Sequence, residues 1–199
     1  MKSILNMALR LSLICGIAAL TLANVAELTR GPIAESEARA QREAVEAVLP
    51  TFVQLVVDTV QQGEDGTVEY FSGVDDTGIT GTAFTSVSGL GYSGEIEIIL
   101  GVNPEDRISG VRILRHAETP GLGANYADPE ILNRFYTGRL LGDNWKVTKD
   151  GGQVDALTGA TITGRAIADA IERGIRQYRL DKDRIKAEPA PIEVEGMAS

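Results

Sequence analysis

The chain has 199 residues, a formal charge of −9 and a sequence pI of about 4.7. An acidic surface argues against nucleic-acid binding, and an aromatic content of 5% leaves few base-stacking platforms. Cys15 and His116 are the single residues of their kinds, so no intrachain disulfide, cysteine-ligated cluster or His/Cys zinc site can be built. Any cofactor must then be held by hydroxyls, carboxylates and backbone amides.

The chain opens on "MKSILNMALRLSLICGIAALTLANVAELTR". Lys2 and Arg10 precede an uncharged stretch from Leu11 to Ala26. A membrane span needs roughly 17–25 residues, and Arg10 can snorkel so that the apolar residues before it count as well. The exit carries no clean small-x-small cleavage site, so a retained anchor over 1–30 is expected rather than a removed signal peptide. Basic residues before the span and acidic ones after it place the N-terminus in the cytoplasm and the bulk of the chain outside the inner membrane.

Apolar positions at helical spacing from about Glu35 to Val60 predict a stalk helix, assigned to 31–62. From Gln61 to Val102, short strands split by Gly and Asp turns are expected. "EIEIILGV" and "RISGVRILRHAET" form a hairpin signal around Asn103–Asp106. "DPEILNRFYTGRL" reads as a short helix with Asp128 as N-cap and Pro129 at its first position. "WKVTKDGGQVDALTGA" returns to strand and turn. Ile162–Leu180 reads as an amphipathic helix with Ile167, Ile171, Ile175 and Tyr178 on one face. The remainder, 181–199, reads as a disordered tail. The expected class is α+β: one membrane helix, then a domain over 63–180 with a mostly antiparallel sheet flanked by helices.

Two stretches carry the chemistry. Thr158-Gly159-Ala160-Thr161 stands just before the last helix. A capped helix start, with Thr161 or Thr163 as acceptor, is one reading. A phosphate-binding turn, with Gly159 admitting close backbone approach, is another. A covalent ester on the threonine is the third. His116-Ala117-Glu118-Thr119-Pro120-Gly121-Leu122-Gly123 is the other stretch, and its Thr-Pro-Gly element is also what a plain type II turn requires.

Asp155-Ala156-Leu157-Thr158-Gly159-Ala160-Thr161 resembles the flavinylation motif of the FMN-binding domain family. The His116–Gly123 stretch, the "GYSGEIEI" region before it and the element order are similar to the G-type family of Rnf electron-transport complex proteins, over roughly Met1 to Tyr178. The resemblance implies one FMN per chain, joined by its phosphate to Thr161, with Thr158, Gly159 and Ala160 forming the turn. It implies that Glu118, Thr119, Leu122 and Gly123 line the flavin, Leu122 offering an apolar face and Glu118 orienting the loop. It implies a separate flavin transferase that uses FAD and a divalent metal, and Asp155, whose carboxylate would repel a phosphate, is expected to engage that transferase rather than hold the product. His116 reads as structural rather than as a base. No protein metal site and no catalytic residue are implied.

The resemblance further implies an electron carrier among the A, B, C, D and E type subunits of a complex coupling ferredoxin and NAD to ion movement. The absence of a G-x-G-x-x-G element after a strand agrees with a chain that does not itself bind NAD. Two alternatives are a C-type subunit of a sodium-pumping NADH:quinone oxidoreductase and an anchored, non-redox module that binds phosphate or a partner.

Overall fold

A computed structural model describes residues 2–62 and 66–186. Two compact units divide the chain, Met1–Arg42 and Glu43–Ser199. Helix α1 runs over Lys2–Val48. Residues 6–40 of it are exposed throughout, and the helix is long and apolar enough to cross a membrane. The anchor and the stalk expected to meet at Arg30 form one helix, which continues through Pro32.

The stalk expected to reach Val60 ends at Val48 instead. Pro50 lacks the amide that would continue the helix, and its ring disfavours helical backbone at Leu49. The next residues, "FVQLVVDTV", are rich in β-branched side chains that suit a pleated surface. Strand β1, Gln54–Gln62, accordingly belongs to the sheet, and the compact unit starts at Glu43 rather than near residue 63.

Strands β2 (Gly66–Asp75), β3 (Gly78–Ser88), β4 (Ile96–Val102) and β5 (Ile108–Arg115) complete a five-stranded sheet. Every neighbouring pair is antiparallel and the strands lie in chain order. β2 and β3 are fewer and longer than the short pieces expected, because Gly73 and Gly81 pair with each other inside the ladder and do not end a strand. The expected β4–β5 hairpin is present. Asp106 closes it at φ 55°, and its amide donates to the Asn103 carbonyl at 3.1 Å.

Both faces of the sheet are covered, which is why β4 alternates only at Glu97 and is apolar and buried from Ile98 to Val102. On one face Phe84, Ile98 and Leu100 pack against helix α3, Thr161–Asp181, through Ile167, Ile171 and Ile175. Phe84 stacks on Tyr178 at 5.1 Å between ring centres. On the other face Ala83 and Ile99 meet Val45, Val48 and Leu49. Gly101 and Gly110, paired across β4 and β5, leave no Cβ where the Val48 backbone rests. The Ser109 hydroxyl donates to the Val48 carbonyl at 2.6 Å.

Helix α2, Pro129–Tyr136, forms as expected, with the Asp128 side chain accepting from the Glu130 amide at 2.9 Å. The strand expected after Trp145 is absent. A short 3-10 turn at Thr148–Asp150 and a single bridge between Val147 and Val154 take its place. Lys182–Arg184 form another 3-10 turn, and the rest of the expected tail from residue 187 onward lies outside the described residues.

Candidate functional site

The site is assembled where the end of β5 meets the start of α3. Past Arg115 the chain turns sharply. The Leu122 amide donates to the Thr119 carbonyl at 3.2 Å, and Gly121 has φ 78°. A hydrogen bond across four residues with positive φ at the third is the type II turn that Pro120 and Gly121 favour. The turn reading and the cofactor reading are compatible, because the turn is what presents Leu122, 47% exposed, to solvent.

Glu118 is buried and holds this loop in place. One of its carboxyl oxygens accepts from the Ser93 amide at 3.2 Å and the other from the Thr163 hydroxyl at 2.9 Å. A buried carboxyl is retained only when such donors replace water. A Cβ at Gly123 would collide with Glu118 and with Thr163, so glycine is needed for this close approach. His116 Nδ1 accepts from the Glu118 amide at 3.2 Å, which gives the histidine a local structural role.

The second stretch makes a matching turn. The Ala160 amide donates to the Leu157 carbonyl at 3.0 Å, with Gly159 at φ 83° between them. Tyr126, fully buried, accepts from the Leu157 amide at 2.9 Å and pins the stretch to the 3-10 helix Gly123–Ala127. Burial raises the Tyr126 pKa, opposed by the Leu157 amide, so the phenol stays neutral at physiological pH.

Helix α3 then begins at Thr161 with Ala160 as N-cap, and no side chain caps its first turn. Thr163 is turned inward to Glu118, while the half-buried Thr161 hydroxyl accepts from Lys149 Nζ at 3.1 Å. The capped-start reading is therefore not what the two threonines do. First-turn amides without an intrahelical partner remain directed at the ground in front of Thr161.

That ground is a cleft of about 250 Å³. Glu118, Thr119, Leu122 and Gly123 line it from one stretch, and Gly159, Ala160 and Thr161 from the other. Thr158 instead lines a neighbouring hollow with Asn125 and Asp128, on the other side of Leu122. Asp155 is exposed and lines neither. Tyr92, Lys149, Ile162 and Thr163 also line the cleft, and sequence reasoning missed all four. Sequence adjacency to Thr161 was the signal for Ile162 and Thr163, and the GYSGEIEI region was the signal for Tyr92. The volume lies below the roughly 300–1,000 Å³ of enclosing ligand pockets.

An uncapped helix start, the exposed apolar side chain of Leu122 and two glycines around one cleft suit an anionic group joined to an apolar one. Residues 91–176 match the family model of the FMN-binding domain, which spans both stretches. The chain is 34% identical over 198 residues to the G component of the ion-translocating oxidoreductase complex of Cereibacter sphaeroides, covering 92% of this chain and 88% of the relative. It is 31% identical over 178 residues to the component of the same name from Methanosarcina acetivorans, covering 87% and 94%. Against the Vibrio cholerae counterpart the identity is 39% over 120 residues, 57% of each chain. The chain belongs to the family of G-type components of ion-translocating oxidoreductase complexes. It carries that family's FMN-binding domain behind an N-terminal apolar helix, and other subunits of such a complex are its implied partners.

Proposed function

We propose that this chain is a membrane-anchored electron carrier with one FMN esterified through its phosphate to Thr161, in an Rnf-type complex that couples ferredoxin and NAD to ion movement. The observation that carries the reading is the Thr161 hydroxyl. It stands at a helix start with no capping duty, contacts an ammonium, and lines the cleft shared with Glu118–Gly123. The bound flavin would supply one-electron chemistry. The chain's own residues hold and orient. Thr161 fixes the phosphate end, Leu122 offers an apolar face, and Glu118 keeps the Thr119–Gly123 loop against α3.

Intact-mass measurement of the full chain, made together with a flavin transferase, tests the reading. It should show one FMN adduct, which peptide mapping places on Thr161. An unmodified mass would remove the covalent reading. The same measurement examines Asp155. Its exposed carboxylate, six residues before Thr161 and outside the cleft, would repel a phosphate but is open to a transferase and its metal. Asp155→Ala should lower the modified fraction, and full occupancy in that variant refutes the assignment.

The orientation follows from charge. Lys2 and Arg10 precede the apolar run while Glu27, Glu35 and Glu37 follow it, which puts the flavin domain on the outer, periplasmic face. Protease added to spheroplasts should digest the domain. Protection there, with digestion in inverted vesicles, reverses the topology.

A further inference from the structure

Lys149 lines the cleft, and its ammonium touches the Thr161 hydroxyl. The two residues lie 12 positions apart, and Lys149 Nζ donates to Thr161 Oγ1 at 3.1 Å. The lysine sits in the middle of the 3-10 turn Thr148–Asp150, which ends on Gly151 at φ 78°. That turn is clamped to α3. Asp150 accepts two hydrogen bonds from the Arg165 guanidinium, both at 2.7 Å, and Arg165 lies one helical turn beyond Thr161. The fork-to-carboxylate geometry is the directional kind of ion pair. It lowers the Asp150 pKa, chiefly through the Arg165 hydrogen bond, so the clamp is ionised throughout the neutral range. The turn is thus tied to the helix that carries the threonine, and Lys149 reaches back to the start of that helix.

We infer that Lys149 is the positioning residue for the modification, pairing its ammonium with the phosphate borne on Thr161 and held at that place by the Asp150–Arg165 clamp. The inference rests on the covalent reading of Thr161. Esterification replaces one phosphorus–oxygen bond with another. Thr161 Oγ1 bonds to the FMN phosphorus, the dinucleotide's pyrophosphate bond breaks, AMP leaves with the electron pair, and the hydroxyl proton passes to the transferase. Lys149 as an ammonium has no lone pair with which to take that proton. Its contribution is charge. A cation beside the hydroxyl favours its deprotonated form as the bond forms, and afterwards it pairs with the single negative charge of the diester. Both effects have the same sign, and the uncapped first-turn amides of α3 add to them.

The test compares the full-length parent with Lys149→Gln and Lys149→Arg. Each chain is incubated with purified transferase, FAD and a divalent metal, and the adduct is followed by intact mass. Lys149 is exposed, so the substitutions leave the fold intact, which the thermal midpoint verifies. Lys149→Gln should be modified about fivefold more slowly, the scale of one exposed charge pair, and Lys149→Arg should restore most of the rate. The phosphorus-31 resonance of the loaded Lys149→Gln chain should also shift relative to the parent, and that of Lys149→Arg much less. A parent rate and an unshifted resonance in Lys149→Gln overturn the inference while leaving the ester on Thr161 standing. Equal losses in both variants overturn it too, since the charge would not be the cause. A parent that takes up no flavin on Thr161 instead removes the covalent reading beneath it.

Discussion

Thr161→Ala, made alongside a flavin transferase, is expected to emerge with the bare polypeptide mass and no flavin fluorescence after denaturation. The loss should be complete, because neither of the other threonines near the helix start can substitute. Thr163 is buried and donates its proton to Glu118 at 2.9 Å. Thr158 lies across Leu122, in the adjoining hollow. The domain should nevertheless fold. Thr161 occupies the first helical position, where its hydroxyl caps nothing, and its bond to Lys149 is exposed. Alanine is a good helix former there, so a change of less than about 1 kcal/mol is expected. An adduct that persists on Thr158 or Thr163 would overturn the assignment. Thr161→Ala chains that fail to fold would instead contradict the geometry of the helix start.

The largest expected effect on stability comes from the far end of the same helix. Asp181 is buried and accepts from four side chains: Tyr70 Oη at 2.8 Å, Gln62 Nε2 at 2.9 Å, Gln177 Nε2 at 2.8 Å and Arg184 Nη1 at 3.2 Å. These donors come from β2, β1, α3 itself and the Lys182–Arg184 turn. Asp181→Ala leaves the buried Tyr70 hydroxyl, two partly buried amides and the half-exposed Arg184 without their shared acceptor, at a cost of about 3 kcal/mol. For a domain of this size that lowers the thermal midpoint by roughly 10 °C.

The effect also depends on pH. Burial acts to raise the Asp181 pKa, but the hydrogen bonds from Gln177, Tyr70 and Gln62 together with Arg184 outweigh it, and the net shift is downward. A carboxyl with a lowered folded-state pKa stabilises above its unfolded value of about 3.9, and that contribution is lost as pH falls through the folded value. Urea unfolding should therefore show a gap between the parent and Asp181→Asn that is full at pH 7 and narrows as pH falls below about 3.9 toward the lowered folded value. A gap that is absent at pH 7, or unchanged in acid, would show that the four contacts do not carry this energy.

The local chemistry of the chain was legible without coordinates. Asp128 and Pro129 announce α2 because capping and proline geometry act within three residues. The β4–β5 hairpin and the apolar face of α3 follow from alternation and from a 3.6-residue period. The two stretches that line the cleft are equally short-range, since each is a turn closed by a glycine with positive φ, Gly121 and Gly159. What failed was also local evidence, overruled by partners far along the chain. Val53–Val60 fits a helical period as well as a strand, and pairing with β2 decided for the strand.

Sequence by itself thus determined the membrane-type helix, the type of most elements and the two turn-forming stretches that line the cleft. Tertiary structure decided which of them meet. Glu118 and Thr163 are 45 positions apart, Gln62 and Asp181 are 119, and Lys149 reaches Thr161 only because a 3-10 turn is clamped to α3 by Asp150 and Arg165. The physical reason is range. Backbone propensity, capping and turn strain act over a few residues and leave a pattern in the sequence, whereas contacts across the sheet depend on how whole elements pack and leave none.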